Sequence, residues 1–410
     1  MNLRFFRFFL LTTFIVLISG CVGTDNNDDF VPVKEDTGNY TDIDTDDTDA
    51  GLFTYDSDYF IQSDFNFDFS GLPFVGVNMS GAEWDGGVQW PDRQLSRGYV
   101  SFPNYYKKFG MNTVRLPFKW ERLQPELNGE FDEKEFNRLK TTAYTLRKDR
   151  AKVILDCHNY ARYNGKLIGV DLPDEAMADL WRRLALEFKD YPEFIFGIMN
   201  EPYNMSTEAW VKAANLTIKT IRDAGAKNLI FLNGNGWSGA HSWCEAWTDD
   251  DDSTSNAIAM LDIVDPLGSN NTIFEVHQYL DVQSSDWGTC ECNEWDTKNG
   301  CTSETVGSYR MNKCFTDWLR TNGKLGFLGE FGVQDDPACI SALDDMLTYV
   351  ENNSDVYVGW TWWAAGPACV DWQAATDPYC WPDSWTIGDP MPSGQMETLT
   401  SHIANNPSIY

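Results

Sequence analysis

Two acids in this sequence stand where a proton donor and a nucleophile would be needed. The apolar run Phe194–Met199 ends in Asn200, Glu201 and Pro202, and the run Leu325–Gly329 ends in Glu330. A short, continuous apolar run suits a strand buried on both faces. Pro202 cannot extend a sheet, and it biases Glu201 towards an extended conformation. Partial burial at a strand end raises a carboxyl pKa, which suits Glu201 to give up a proton to a substrate. Glu330 reads differently, because Arg115 and Tyr279 are candidates to hydrogen-bond it and keep it ionised. One protonated and one charged carboxyl divide the work as a retaining glycosidase does. In that chemistry Glu201 protonates the leaving oxygen and Glu330 attacks the anomeric carbon. A water activated by Glu201 then releases the sugar, and Asn200 holds the neighbouring 2-hydroxyl. The plain alternative is a pair of unrelated structural acids.

Acids this far apart in sequence meet only if the fold brings strand ends together. Apolar runs recur at Phe74–Asn78, Thr113–Pro117, Lys152–His158, Ile195–Asn200, Asn228–Leu232, Thr272–His277, Leu325–Glu330 and Tyr357–Trp362. Helical periodicity lies between most of them, clearest over Phe136–Leu146, Ala176–Phe188, Trp210–Ile221 and Ile340–Val350, and weakest near Thr254–Leu261. This alternation predicts an α/β chain folded as a (β/α)8 TIM barrel. A doubly wound open sheet is the runner-up, but it would need a Gly-rich phosphate turn after the first strand, and Gly76–Gly81 is not one. At a barrel's mouth the strand ends converge, bringing together Arg115, His158, Asn200, Glu201, His277, Tyr279, Glu330, Trp362 and Trp363. His158 and His277 lack the tight ligand spacing of a metal site, so neither metal nor cofactor is expected. The sequence has no nucleophile elbow and no phosphate loop.

The totals narrow the partners. The 410-residue chain carries a net charge of −31, which excludes nucleic acid as a partner and favours an uncharged or cationic ligand. Its 17 Trp include candidates for stacking on flat apolar faces. Between Val22 and Phe60 there are 11 Asp and one Glu against one Lys, the composition of a solvated tether. Arg4 and Arg7 precede an apolar run, Phe8–Ile18, that is short for a membrane span. Ile18, Ser19, Gly20 and Cys21 then resemble a bacterial lipoprotein processing box, with Cys21 bearing the lipid; an ordinary secretory signal is the alternative. The expected organisation is a signal peptide (1–20), a lipid-anchored disordered linker (21–65) and a catalytic barrel (66–410). The expected protein is an extracytoplasmic monomer at the outer membrane or cell surface, or secreted, touching membrane through Cys21 alone. Cys157 reads as a buried thiol. Cys244, Cys290, Cys292, Cys301, Cys314, Cys339, Cys369 and Cys380 suit four disulfides, with the pairing open.

Taken together, several stretches resemble glycoside hydrolase family 5, within the branch of fungal-type endo-β-1,4-glucanases. They are Val114–Pro117, Asp156–Gly165, Phe196–Pro202, Asn233–Ser238, Val276–Asp281 and Asn353–Gly359, within roughly residues 70 to 400. The resemblance implies acid/base duty for Glu201 and nucleophile duty for Glu330. It implies Trp363 as the floor beneath the sugar at the cleavage point, and a disulfide between Cys292 and Cys339. The implied activity is retaining endo-cleavage of β-1,4-glucosidic bonds in cellulose or related β-glucans. An endo-β-mannanase or mixed-linkage glucanase would use the same barrel and acids, and a non-catalytic glycan-binding lipoprotein is the rival of another class. Tyr203 departs from the family, whose members often carry His after the Pro. So do the Cys290–Cys301 insert and the acidic Trp243–Asp252 loop. Among Trp84, Trp120, Trp237 and Trp287, Trp237 is the one expected to meet an outer sugar.

Overall fold

A computed structural model describes residues 65–84, 106–246, 254–282, 289–366 and 393–404. The signal segment, Cys21 and all but the end of the acidic linker lie outside these residues. Eight parallel strands form a closed barrel: β1 (Phe74–Met79), β2 (Thr113–Phe118), β3 (Lys152–Cys157), β4 (Phe194–Gly197), β5 (Ile230–Asn233), β6 (Thr272–His277), β7 (Gly326–Glu330) and β8 (Tyr357–Ala365). Each strand pairs with its sequence neighbours, and β8 closes on β1. The (β/α)8 expectation holds.

Helices follow most of the strands, and several carry side-chain caps. α1 (Glu133–Lys148) is capped by Asp132, whose side chain accepts from the Glu135 amide. α2 (Glu175–Phe188) and α3 (Thr207–Asp223) follow, the latter capped by Ser206 accepting from Ala209. α4 (Phe315–Asn322) ends at Gly323 in the left-handed conformation, the usual way to close a helix. α5 (Pro337–Asn352) begins with Pro337 behind the capping Asp336, and α6 (Gly394–Ala404) comes last. After β5 the helical layer shrinks to one turn, Asn256–Ala259, which agrees with the weak periodicity there.

The two-residue period of the strands sorts side chains between two cores. Val153, Leu155 and Cys157 of β3, and Phe274 and Val276 of β6, face the helices. Inside the barrel a separate layer gathers Phe74, Ile154, Ile195, Leu229, Phe231, Ile273, Phe327 and Val358, with Phe67 and Phe69 packed against it. Residues two and four places beyond Ile154 and Ile273 on the same strands are therefore Asp156 and His158, and Glu275 and His277. The apolar layer forms the barrel's floor, and charge begins immediately above it.

Some boundaries differ from expectation. β4 leaves the ladder after Gly197, before Asn200. Glu201 has φ +43, in the left-handed region rather than the extended one that Pro202 favours. Its amide donates to Asn233 Oδ1 at 2.9 Å, so a long-range contact overrides the local bias. β5 starts at Ile230 because Asn228 is spent on hydrogen bonds to Tyr191 O and Phe194 O, both at 2.9 Å.

The disulfide implied between Cys292 and Cys339 is corrected. Cys290 pairs with Cys339 and Cys292 with Cys301, while Cys244 pairs with Cys314. Cys290 is seated against the first turn of α5, where its amide lies 3.1 Å from Cys339 Sγ. Cys292 instead closes the short helix Glu294–Lys298 onto Cys301. Cys157 is a buried free thiol, and Cys369 and Cys380 lie outside the described residues.

Candidate active site

Arg115 is the hub of the charged layer. From the middle of β2, fully buried, its guanidinium lies 3.0 Å from Asp156 Oδ2, 2.9 Å from Glu275 Oε1 and 2.8 Å from Glu330 Oε1. It also donates to Asn78 Oδ1 at 3.0 Å and to Asn200 Oδ1 at 2.7 Å. Burial opposes its charge, but Asp156, Glu275 and Glu330 outweigh that and hold it protonated. Burying this cation carries a desolvation cost, and removing one of its acceptors would leave it uncompensated.

Above this layer each mouth histidine is tied to an acid two residues earlier on its own strand. His158 Nδ1 lies 2.8 Å from Asp156 Oδ2, which leaves Nε2 to accept from Asn200 Nδ2 at 3.1 Å and from the Tyr160 hydroxyl at 3.2 Å. His277 Nε2 lies 3.3 Å from Glu275 Oε1, and Nδ1 lies 2.6 Å from Glu201 Oε1 and 3.6 Å from Glu330 Oε2. Burial works against protonating His277, but Glu330 and Glu201 overcome it and push its pKa up to about 10. Burial also works against ionising Glu275, yet Arg115 and His277 bring it down to about 2.

Glu330 closes β7 where the pairing with β6 shifts register between Val276 and His277. Such an irregularity turns a strand-end side chain to a new direction. Gly329 is required beside it, because a Cβ there would meet Glu275 Oε1 at 2.2 Å. Arg115 and the Tyr279 hydroxyl, at 3.1 Å from Oε2, do hydrogen-bond Glu330 as expected. Their effect on its charge is smaller than expected, since burial is the largest influence and the carboxyl pKa moves upward despite His277 and Arg115. A carboxylate oxygen of Glu201, one of Glu330 and a ring nitrogen of His277 all lie within 4.8 Å of one another. Among the described residues this is the trio whose donor atoms could share a metal ion. Arg115 against Glu330, and a His277 that keeps its second proton to about pH 10, oppose a cation there.

Trp363, at the end of β8, stacks on His158 with centroids 5.4 Å apart and an interplanar angle of 20°. Its peptide bond to Ala364 is cis. With Tyr279 and Ala364 it forms a small apolar cluster of its own. The structure thus brings Arg115, His158, Asn200, Glu201, His277, Tyr279, Glu330 and Trp363 to one mouth.

The outer tryptophans divide. Trp237, after β5, is 45% exposed and stacked on Tyr203. Trp84 is 42% exposed beyond β1 and donates to Ser80 Oγ at 3.2 Å. Trp120 is core, fully buried with its Nε1 bonded to Gln124 at 2.8 Å. Trp243 is also core, against Phe315 and Trp318. Trp287 lies outside the described residues. Asp156, Glu275 and Asn78 were not singled out from sequence, although an acid two places before a strand-end His was a usable signal.

Residues 74–366 match the family described as Cellulase (glycosyl hydrolase family 5). Endo-beta-1,4-glucanase B of Aspergillus niger is 36% identical over 308 residues, covering 74% of this chain and 85% of that protein. The structure of XacCel5A in complex with cellopentaose is 43% identical with TM-score 0.69, covering 81% of this chain and 99% of that one. Endoglucanase Cel5A of Pseudomonas stutzeri in complex with cellobiose is 32% identical with TM-score 0.67, covering 82% and 94%. The fold, the matched span and these likenesses agree, and the chain belongs to the cellulases of glycosyl hydrolase family 5.

Proposed function

We propose that this chain is a retaining endo-β-1,4-glucanase in which Glu330 is the nucleophile and Glu201 the acid/base. The observation that carries the reading is the approach of the two carboxyls to within 4.8 Å, with His277 against both. Retaining glycosidases hold their carboxyls about 5–5.5 Å apart, whereas inverting ones leave about 6.5–9.5 Å for a water. In the first step a Glu330 oxygen bonds to the anomeric carbon as the glycosidic bond breaks, and Glu201 gives its proton to the departing oxygen. In the second, Glu201 takes a proton from water, whose oxygen displaces Glu330 as carboxylate. Arg115 holds one oxygen of Glu330 and the Tyr279 hydroxyl the other, which keeps the carboxylate oriented. Asn200, fixed between Arg115 and His158, is placed to meet the 2-hydroxyl. His277 holds Glu201 in place and supplies positive charge beside both acids. Trp363 is the floor beneath the reacting sugar, and Trp237 is an outer sugar contact.

The substrate is a β-glucan chain, as the names of the relatives and the cello-oligosaccharide in two of the solved structures support. Initial rates and products on carboxymethylcellulose, mixed-linkage glucan, xyloglucan and mannan test this. Internal cleavage of the β-1,4-glucans is expected, with the β-anomer appearing first by NMR. A first-formed α-anomer, or activity confined to mannan, would overturn the assignment. The remaining organisation is proposed from sequence: a signal over 1–20, a lipid on Cys21, an acidic linker to residue 65 and a monomeric barrel held outside the cytoplasm. Among the described residues no helix is long and apolar enough to cross a membrane. Metabolic labelling with a fatty acid, lost in Cys21→Ser, checks the anchor.

A further inference from the structure

Three side chains beside the proton donor form a stack, of which the chemistry above uses only Trp237. Tyr203 lies parallel to Trp237, with ring centroids 4.7 Å apart and planes 11° from each other. The Arg162 guanidinium carbon lies 3.9 Å from the centroid of the same Tyr203 ring. Two groups this close to one ring must occupy its opposite faces, so Tyr203 is sandwiched between a cation and an indole.

The sandwich is fixed from several directions. Arg162 donates from Nη2 to Tyr203 O at 3.1 Å and from Nη1 to Tyr160 O at 2.7 Å. The Trp237 amide donates to Pro202 O at 3.1 Å. Trp237 and Ser238 have φ +54 and +57, a conformation that costs a bulky residue roughly 1–3 kcal/mol and that tends to persist where a site needs it. The Ser238 hydroxyl accepts from Gly234 at 2.9 Å and donates to Glu275 O at 2.5 Å, which pins the turn to β6. An indole that is 45% exposed is thus held at one angle by a strained turn and a ring at its back.

Its position gives the stack a side. Glu201 hands its proton to the departing oxygen, Pro202 and Tyr203 follow it in the chain, and the Trp237 amide is bonded to Pro202 O, so the stack sits beside the proton donor. A sugar on this ring belongs to the departing half of the substrate. We propose that Tyr203, clamped by Arg162, is the positioning residue that holds Trp237 as a platform for a leaving-group β-glucosyl unit. The proposal rests on the glucanase reading and adds to it which residues set the leaving-group side. Flat aromatic faces suit the apolar faces of a β-linked pyranose, and a pre-set ring binds without an ordering cost.

The test compares cellopentaose, which reaches across the cleavage point, with an aryl β-cellobioside, whose leaving group is not a sugar. Tyr203→Ala should lower kcat/KM for cellopentaose about tenfold more than for the aryl cellobioside, mostly through KM, since stacking on one ring is worth ~0.5–1.5 kcal/mol. Tyr203→Phe should restore the cellopentaose value. Trp237→Ala should reproduce the loss, and the double variant should be no worse than Trp237→Ala, because the two act as one unit. Equal losses on both substrates, or additive losses in the double variant, would overturn the proposal. Calorimetric binding of cellopentaose to Glu330→Gln protein, with and without Tyr203→Ala, makes the comparison without turnover. Unchanged affinity there overturns this inference alone; failure of the parent protein to hydrolyse either substrate counts against the glucanase reading instead.

Discussion

His277 Nδ1 lies 2.6 Å from Glu201 Oε1, although 76 residues separate them, and its other nitrogen is held by Glu275. The barrel therefore carries a cation in contact with the proposed acid/base and within 3.6 Å of the proposed nucleophile. Charge balance at this point governs both the chemistry and the pH response.

Glu201→Gln and Glu330→Gln should each lower kcat on β-glucan by at least about 10³-fold with the fold intact. The two should separate on an aryl cellobioside with a good leaving group. Glu201→Gln should recover much of its first-step rate, because no proton is then needed, and Glu330→Gln should recover none. Burst kinetics with circular dichroism as a folding control measures the difference.

Asp156→Asn and Glu275→Gln should lower kcat by roughly 10–10²-fold without touching substrate, since a small displacement of a reacting group costs about that much. Asp156 fixes His158 and through it Asn200, so its loss should act on kcat more than on KM. An unchanged kcat in both variants would mean the acid–histidine pairs are packing alone.

Stability should fall on the alkaline side before ordinary lysines lose their charge. His277 has a folded pKa of about 10 against an ordinary 6.5, so its contribution is full below about pH 6.5 and lost as pH rises towards 10. Glu275 has a folded pKa of about 2 against 4.5, so its contribution is full above about pH 4.5 and lost as pH falls towards 2. From these two groups, the urea midpoint should therefore decline above about pH 6.5 and below about pH 4.5. In His277→Gln the alkaline decline should flatten.

Peptide mapping should find Cys290 with Cys339 and Cys292 with Cys301. The first bridge spans 49 residues and its removal should cost ~4 kcal/mol; the second spans 9 and should cost ~3 kcal/mol. Denaturation of Cys290→Ser/Cys339→Ser and Cys292→Ser/Cys301→Ser proteins gives the ranking.

Much of this was legible in the chain. A barrel strand is buried on both faces, so a charge at its end stands out, and Glu201, His277 and Glu330 were visible for that reason. Asp156 and Glu275 were less so, because an acid inside a strand makes sense only once Arg115 is known to face it from another strand. Trp237 was the outer Trp singled out, and it is exposed while Trp120 is buried in the core. The conformation of Glu201 was misread because Pro202 is a local signal and Asn233 a distant one. The cysteine pairing depended on how Cys290 seats against α5, which spacing does not encode.

Arg115 draws its partners from β1, β3, β6 and β7 as well as from Asn200, so they are delivered at widely separated times during synthesis. A nascent chain that has not yet extruded Glu330 holds a guanidinium whose closing counter-charge is still in the ribosome. Until β7 is made, the cation has Asp156 and Glu275 but lacks the acid that completes the layer. The residue that orients the proposed nucleophile thus also acts as a checkpoint on completion. Chains truncated before residue 330 should be far more protease-sensitive than their apolar content suggests.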